Sequence, residues 1–326
     1  FKQKTAYEIS LGLVGSEMCI RDREELQKIK PDIVHCHNLH PHLFQTIKWK
    51  DELKYKLISQ LHYPIATGID DPLARSLYKP VMKMLIRSQH MVDAFIAHTD
   101  MEKKWLCSEG IDRERIHIIR YPCVSDEVFN YKPKIDIHEK LEANIVITYI
   151  SRIHPRKGQH LLIEAIKYLR EELKGLKVYI AGPVADAKYL KKLTKYIKKY
   201  DLKDIVIIES KTLNEEKKLD TIAASDVFVC TPLKDYTPVV VLEAMALKTP
   251  VVATAVGAIP ELLEKGKYGL LINSLNPTDI AETIIISREK SKELIERAYK
   301  HIVSKHSIKV LAKNLMYNVY DSPKGL

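Results

Sequence analysis

The sequence has 326 residues, enough for two domains with separate cores, and its 46% hydrophobic and 29% charged residues exclude a largely disordered chain. The formal net charge of +10 and the isoelectric point near 9.1 allow a nucleic acid or an anionic membrane as a partner. The lysines are interspersed with glutamates along the predicted helices, however, which favours a solvated surface. No apolar run approaches the roughly 18 residues that a membrane-spanning helix requires.

The cysteines lie far apart in the sequence and form no Cys-x-x-Cys pair. Close spacings would indicate a disulfide framework or a zinc site, and neither pattern is present. A reducing cytoplasm is therefore the simplest location. The five residues are Cys19, Cys36, Cys107, Cys123 and Cys230.

Residues 13–22 read LVGSEMCIRD, which resembles the translation of a sequencing-library adapter. We assign residues 1–23 as an artefactual or uncertain segment and leave them out of the fold prediction. The alternative interpretation is a natural, short amphipathic loop. The adapter hypothesis predicts that the native amino terminus is absent from this sequence.

From residue 31 onwards, short apolar runs alternate with helical segments. This order predicts βαβ units and a parallel, doubly wound sheet in residues 24–140. The charged, proline-containing segment 131–141 is predicted to be the linker to a second domain. The predicted strands of the first domain lie in DIVHCH, KLISQLH, AFIAH and RIHIIRYP.

Four histidines on and after the first predicted strand raise the question of a metal site. The first pair shares one strand face, but no acid or cysteine completes a convincing set of ligands. Buried imidazoles with hydrogen-bond partners explain such histidines equally well. We therefore predict no metal site; the four residues are His35, His37, His40 and His42.

The second half repeats strand and helix over residues 141–302 and predicts a second parallel sheet. Its first strand, IVITYI, leads into SRIHPRKG, so Arg152 and Lys157 lie in a loop at the carboxyl end of that strand. Ligands of such sheets bind beyond the carboxyl ends of the strands, so two cations in this loop indicate an anionic ligand. The alternative is a pair of solvated surface cations.

The segment 187–200 predicts an amphipathic helix with six lysines on its outer side. A solvated outer helix is favoured, and a helix lying on a membrane surface is the alternative. After a last strand in KYGLLIN, the remaining chain is predicted to be helical.

The segment 231–261 combines two acids, a helix start and a buried strand. Thr237 and Pro238 are predicted as the N-cap and the first helical residue, which leaves the amides of Val239 and Val240 as donors at the positive end of the helix. Such an end binds anions. Asp235 precedes this end and Glu243 lies inside the helix, and a carboxylate can accept two hydrogen bonds from a vicinal diol.

Together, the acid-x7-acid spacing, the following EAMA, the VVAT strand, the AIPE turn and the Arg/Lys loop resemble the donor-site signature of GT-B retaining glycosyltransferases of family four, also described as glycosyl transferases group one. The resemblance covers roughly residues 31–320. It implies an α/β fold of GT-B type with two Rossmann-like, doubly wound parallel-sheet domains facing a cleft. The first domain, on the acceptor side, would be incomplete because its opening strands are missing. Residues 303–326 would form a carboxy-terminal helix that crosses back to it.

The resemblance also implies roles for individual residues. The catalytic set is His37, at a strand end near the reacting sugar carbon, with Asp235 and Glu243; His62 matches a second strand-end histidine of the family and is a secondary candidate. Arg152 and Lys157 would hold the donor diphosphate, and Gly182 and Pro183 end a strand where the family places the nucleotide base. Val239, Val240 and Glu243 complete the predicted donor site.

Several positions depart from the family pattern. Asp235 replaces the usual first Glu, Ser151 and Ala258 replace glycines, and Lys248 replaces a helix-ending glycine. The customary Pro-Asn-Gly-Val-Asp turn is here Tyr-Pro-Cys-Val-Ser at 121–125, so no contact of that Asn or Asp is carried over.

The leading hypothesis is a retaining hexosyltransferase of glycan biosynthesis that uses a nucleotide-diphosphate sugar and no other cofactor. The absence of an Asp-x-Asp motif favours metal independence, and the absence of a Walker loop and of G-x-G-x-x-G counts against a P-loop nucleotidase or a dinucleotide oxidoreductase. A sugar-nucleotide epimerase or hydrolase of the same fold is the alternative among enzymes. A basic nucleic-acid-binding protein is the alternative of another class, although basic residues spread over most helices argue against it.

The predicted partners are a nucleotide-sugar donor and a glycan or lipid-linked acceptor, without nucleic acid. The predicted location is the cytoplasm, and peripheral contact with the inner face of the membrane is left open.

Overall fold

The computed structural model describes residues 16–37, 41–61 and 72–321. The chain divides into two units. Unit 1 comprises Phe1–Ile119 and Leu315–Leu326, and unit 2 comprises Arg120–Asn314.

The described part of unit 1 contains a four-stranded parallel sheet in the order β1-β2-β3-β4, with helices between the strands. Its strands are β1 (Ile33–His37), β2 (Lys56–Gln60), β3 (Ala94–Ala97) and β4 (Ile116–Ile118). Its helices are α1 (Ser16–Ile29), α2 (Pro41–Leu53), α3 (Pro72–Ser88) and α4 (Asp100–Glu109). All four predicted strands of the first domain are therefore present.

The central strands β2 and β3 are buried along their whole length, whereas β1 is only partly buried. The core between sheet and helices includes Leu57, Phe95, Leu85 and Leu106. The chain enters α4 through Thr99, whose hydroxyl accepts a hydrogen bond from the amide of Glu102, and leaves it through Gly110 in the left-handed conformation.

Unit 2 contains a six-stranded parallel sheet in the order β10-β9-β8-β5-β6-β7. Its strands are β5 (Ile145–Ile150), β6 (Leu176–Ala181), β7 (Val206–Glu209), β8 (Val227–Cys230), β9 (Val251–Thr254) and β10 (Leu270–Ile272). Its helices are α5 (Asp126–Phe129), α6 (Ile137–Leu141), α7 (Gln159–Glu172), α8 (Ala187–Lys199), α9 (Glu215–Ala223), α10 (Val239–Ala246), α11 (Ile259–Leu262), α12 (Pro277–Glu289), α13 (Ser291–Lys305) and α14 (Ile308–Leu315).

The strand order of unit 2 reverses at β5. This strand pairs with β6, the next strand of the chain, on one side and with β8 on the other. In open parallel sheets the crevice at such a reversal, beyond the carboxyl ends of the strands, is where ligands bind. The fold therefore directs attention to the loops that follow β5 and β8.

Residues 120–141 belong to unit 2, so the division falls earlier than the boundary predicted at residue 140. Val124 and Val128 are buried in the core beneath α10, and the hydroxyl of Tyr131 donates to Asp220 Oδ1 at 2.9 Å. The segment that was predicted to be a linker is therefore packed on this unit, because its apolar residues face the core.

The carboxy-terminal prediction also needs adjustment. Residues 303–314 belong to unit 2, and only the chain from Leu315 onwards belongs to unit 1. There Tyr320 forms a hydrogen bond of 2.9 Å between its hydroxyl and His35 Nδ1, and its carbonyl oxygen accepts from Lys56 Nζ at 3.2 Å.

Of the segment assigned to an adapter, residues 13–15 lie outside the described residues, and residues 16–22 form the first part of α1. Across 16–37, 41–61 and 72–321, no helix combines the length and the apolar character needed to cross a bilayer.

Candidate functional site

Three loops at the carboxyl ends of neighbouring strands in unit 2 are joined by hydrogen bonds. The loop after β8 lies in the middle: the Leu233 amide donates to Arg156 O in the loop after β5 at 2.9 Å. On the other side, the Ala258 amide of the loop after β9 donates to Tyr236 O at 2.8 Å. The loop that carries Asp235 is therefore held from both sides.

Two glycines permit this close packing. Gly158 and Gly257 have φ values of +69° and +55°, which side chains disfavour. A Cβ atom at Gly158 would lie 2.0 Å from Thr231 O, and one at Gly257 would lie 2.1 Å from Asp235 O. Both neighbours are backbone atoms, so any side chain at these positions would force the loops apart.

Lys157 and Asp235 form an ion pair between the loops after β5 and β8, and their side chains are only 20% and 18% exposed. The carbonyl oxygen of Lys157 accepts from the buried hydroxyl of Tyr149, which in turn accepts from the Thr231 amide at 3.1 Å. Burial raises the pKa of Tyr149 well above its usual value, so the phenol stays protonated and can donate. One buried tyrosine thus joins the two loops beneath the ion pair.

The start of α10 differs from the prediction. The N-cap is Pro238, with extended backbone, and α10 begins at Val239. Thr237 is not the cap; its hydroxyl oxygen is buried and has no hydrogen-bond partner among the described residues. Proline has no backbone N–H group, and the N-cap position does not require one for the hydrogen bonds of the helix, so Pro238 can occupy it. The amides of Val239 and Val240 still lie in the first turn, where helix amides lack carbonyl partners within the helix.

Glu243 lies one turn further along α10 and is paired with Lys218 of α9. Lys218 Nζ is 2.8 Å from Glu243 Oε1, and the carboxylate side chain is 13% exposed. Each acid of the Asp-x7-Glu pattern therefore has its own lysine. Asp235 pairs with Lys157 of the loop after β5, and Glu243 pairs with Lys218, which lies on a helix that the sequence analysis did not single out.

Arg152 is exposed and, like Arg156, forms no ion pair with a described residue. Its carbonyl oxygen accepts from the side chain of the fully buried Gln159 at 2.9 Å, and the same amide group donates to Ser151 Oγ at 3.0 Å. The backbone of the loop is thus fixed while the guanidinium remains in solvent.

Gly182 and Pro183 follow β6 and lie against the same loop. The Ser151 amide donates to Ala181 O at 2.9 Å, and the Ile153 amide donates to Pro183 O at 2.9 Å. A Cβ atom at position 182 would lie 1.9 Å from Ser151 O, so glycine is required there. The two residues predicted to lie near a base thus adjoin the cation-bearing loop.

The two candidate histidines belong to unit 1. His37 ends β1, and its ring stacks on that of His35 with centroids 4.5 Å apart. Partial burial lowers the pKa of His37, which favours a neutral imidazole at neutral pH. His62 and His40 lie outside the described residues. Among the residues that are described, no group of three or more His, Cys, Asp or Glu side chains has the arrangement of a metal site.

In unit 2, the structure therefore brings Lys157, Asp235 and the start of α10 together at the strand reversal, with Gly182, Pro183 and Arg152 on the adjoining loop. Sequence analysis missed Lys218, Tyr149 and Gln159. In the sequence, Tyr149 and Gln159 look like ordinary strand and helix residues. Only the tertiary hydrogen bonds show that they fix the loops.

Two parallel-sheet α/β units, of four and six strands in the described residues, are the architecture of a GT-B glycosyltransferase. Sequence comparison agrees: the model of the family described as "Glycosyl transferases group 1" matches residues 131–301, and that of "Glycosyltransferase Family 4" matches residues 14–123. The chain belongs to the glycosyl transferases group 1 family.

Relatives of known description are distant. A probable sucrose-phosphate synthase of Thermosipho melanesiensis is 28% identical over 207 residues, covering 60% of this chain and 48% of the relative. A D-inositol 3-phosphate glycosyltransferase of Mycolicibacterium smegmatis is 24% identical over 282 residues, covering 82% of this chain and 62% of the relative. The chain spans about half the length of several curated relatives that it matches.

Among solved structures, Anabaena Alr3699/HepE in complex with UDP is similar, with a TM-score of 0.79, 18% identity, and coverage of 93% of this chain and 82% of that protein. This likeness confirms the GT-B fold.

Proposed function

We propose that this protein transfers a sugar from a nucleotide-diphosphate sugar to a glycan or lipid-linked acceptor, with retention of anomeric configuration and without a metal ion. Membership of the family supports the reaction class, and the UDP bound by the HepE relative supports a nucleotide donor. The observation that carries the proposal is the junction of the three loops in unit 2, where two cations, two paired acids and a helix start adjoin.

In this proposal, the donor diphosphate binds to Arg152, Lys157 and the amides of Val239 and Val240. These groups stabilise the negative charge that grows on the leaving diphosphate as the glycosidic bond breaks, a task that metal ions perform in other transferases. Asp235 contacts the sugar, Glu243 accepts hydrogen bonds from the ribose diol, and Gly182 and Pro183 adjoin the base. His37 remains the catalytic candidate of unit 1, and burial lowers its pKa, which favours the neutral imidazole.

The test is calorimetric binding of UDP, ADP and GDP to the unaltered chain and to a variant in which Arg152 and Lys157 are both alanine. We expect the double variant to lose several kcal/mol of affinity with little change in unfolding temperature, since both residues lie in a loop. A matched control replaces Lys191 and Lys195, two cations of α8, and should bind as the unaltered chain does. Equal affinity in the Arg152/Lys157 variant would reject the diphosphate site.

The catalytic part of the proposal is tested by product analysis. Incubation with a panel of nucleotide sugars and simple glycoside acceptors, followed by NMR of the anomeric proton, should show a product with the configuration of the donor. Activity should persist in EDTA. A sugar-nucleotide epimerase or hydrolase would instead change the donor or release free sugar without any acceptor; the named relatives do not favour this alternative.

A further inference from the structure

Lys218 is a lysine of α9 that no motif marks. Its ammonium group contacts Glu243 Oε1 at 2.8 Å and Glu215 Oε2 at 2.9 Å, and its side chain is only 20% exposed. Partial burial alone lowers the pKa of Lys218, but the hydrogen bonds to Glu243 and Glu215 outweigh it and raise the pKa above its usual value. The lysine is therefore charged, and it ties its charge to the carboxylate inside α10.

We propose that Lys218 is the positioning residue for the diol-binding carboxylate: it holds Glu243 Oε1 so that Oε2 can accept from the two ribose hydroxyls of a nucleoside diphosphate. This inference rests on the proposed function, which gives Glu243 the diol. Among the described residues, no hydrogen bond to Glu243 Oε2 is found, so one carboxylate oxygen is held and the other is available.

The contact between Lys218 and Glu243 affects nucleotide binding because it fixes the carboxylate in advance. A glutamate has three side-chain torsions, and an unheld carboxylate must lose that freedom when a ligand binds. Lys218 removes the freedom beforehand. It also places a positive charge 2.8 Å from one oxygen of the carboxylate, and hydrogen bonds that involve a charged group are about twice as strong as neutral ones.

The alternative is that Lys218 only ties α9 to α10. The adjacent residue provides a matched control, because Lys217 of the same helix pairs with Glu209 at 2.6 Å through both carboxylate oxygens. That pair involves the end of β7 and not α10, and its side chains are 33% and 30% exposed. Loss of Lys217 therefore removes an ion pair from α9 and leaves Glu243 with its lysine.

The experiment measures the preference of the full chain for a ribose diol. Calorimetry compares UDP, ADP and GDP with their 2′,3′-dideoxy counterparts, using the unaltered chain, Lys218→Met, Lys218→Arg, Lys217→Met, Glu243→Gln and the Lys218→Met/Glu243→Gln double variant. We expect Lys218→Met to weaken binding of the preferred ribonucleotide about tenfold, as loss of one charge-assisted hydrogen bond does, and to change dideoxynucleotide binding less than about twofold. Lys218→Arg should restore most of the preference, and Lys217→Met should retain it.

The double variant should be no weaker than Glu243→Gln, because Lys218 acts only through Glu243. Equal losses of affinity for ribonucleotides and dideoxynucleotides in Lys218→Met would show that Lys218 only joins α9 to α10. That result would overturn this inference and leave the proposed function intact. An unchanged preference in Lys218→Met, with a lost preference in Glu243→Gln, would also overturn it while leaving the proposed function intact. If Glu243→Gln keeps the full diol preference, or if the unaltered chain binds no nucleotide, the proposed function fails and the role of Lys218 fails with it.

Discussion

The Lys157–Asp235 ion pair joins a residue proposed to bind phosphate to a residue proposed to contact the sugar. A lysine that already faces a carboxylate offers less net charge to a diphosphate, and the carboxylate itself repels the phosphate oxygens. The two residues therefore oppose each other in nucleotide binding while both contribute to transfer.

Because of this opposition, we expect that Asp235→Asn does not weaken UDP binding, whereas Glu243→Gln does. Asp235→Asn should leave UDP affinity unchanged or raise it up to about fivefold, roughly 1 kcal/mol for a partly exposed pair, and should strongly reduce transfer. Glu243→Gln, with similar loss of charge, should weaken UDP binding because a neutral amide oxygen is a poorer acceptor for the diol. Calorimetry together with transfer rates measures both effects. A fall in UDP affinity of the same size in both variants would show that the two roles are misassigned.

His306 is a buried histidine that is only 3% exposed, and its Nδ1–H donates to Pro122 O at 3.2 Å. Burial lowers the pKa of His306 to about 4. Between pH 6.5 and 4 the unfolded chain therefore binds a proton that the folded chain does not. The contribution of this residue to the free energy of unfolding is complete above pH 6.5 and is lost as the pH falls towards 4.

Urea unfolding at pH 7 and pH 4.5 should measure this effect. The loss due to His306 is expected to be about 2–3 kcal/mol, from the difference between the two pKa values. His306→Asn keeps a donor for Pro122 O but does not titrate, so its unfolding free energy should fall less between the two pH values. An identical pH dependence in both proteins would contradict the assignment.

At the scale of elements, the strands and their order of appearance could be predicted, because runs such as IVITYI and VFVC are buried on both faces of a parallel sheet and read as continuous apolar segments. The loop with Arg152 and Lys157 could be predicted for the same reason. The cap of α10 could not be, because Thr237 and Pro238 are both good residues for a helix start and only the backbone conformation distinguishes them. Lys218 was missed because its partner is 25 residues away and on another helix.

The lysine-rich outer face of helix α8 is the candidate surface for contact with a membrane. Its inner side is buried through Tyr189, Leu193 and Ile197, and none of its lysines forms an ion pair with a described residue. Lys192 lies over the ring of Tyr196, with its ammonium 5.3 Å from the centroid. Lysines beside aromatic rings on one face fit an anionic lipid surface as well as they fit water. The lysines are Lys188, Lys191, Lys192, Lys195, Lys198 and Lys199.

Co-sedimentation with vesicles decides between the two. If α8 contacts the membrane, the chain should bind vesicles that contain phosphatidylglycerol and not those of phosphatidylcholine alone, and changing Lys191, Lys192 and Lys195 to glutamine should lower binding by about 1 kcal/mol for each charge that reaches the surface. Changing the exposed Lys132, Lys134 and Lys265 instead provides the control. Equal binding by the two triple variants would leave α8 as a solvated helix.

For the molecule as a whole, unit 2 has its own sheet and core, so residues 120–314 should fold without unit 1. The second domain predicted from the sequence starts at residue 141, which would place the start of such a fragment near Asn144. The structure argues for Arg120, because Val124, Val128 and Ile137 are no more than 5% exposed, and the Val124 amide donates to His306 O at 2.7 Å. Removal of three buried aliphatic side chains costs roughly 5 kcal/mol of apolar burial.

We therefore expect the fragment 120–314 to unfold cooperatively and to bind the preferred nucleotide within a few-fold of the full chain, since the proposed diphosphate and diol contacts all lie in unit 2. The fragment 144–314 should unfold at a lower urea concentration or aggregate. Denaturation curves and calorimetry on the two fragments measure this. Equal stability of the two would show that residues 120–143 do not belong to the core of unit 2.

The two glycine contacts between loops have a consequence for the timing of local motion. Gly158 and Gly257 leave no room for a side chain against Thr231 O and Asp235 O, so the loop after β8 is packed closely against both neighbours. The amide protons of Leu233 and Ala258, which bridge the two junctions, should then exchange with solvent deuterium at one common rate, as a single opening unit. A nucleotide that binds at the junction would slow both protons by the same factor, so either proton alone can report occupancy of the site.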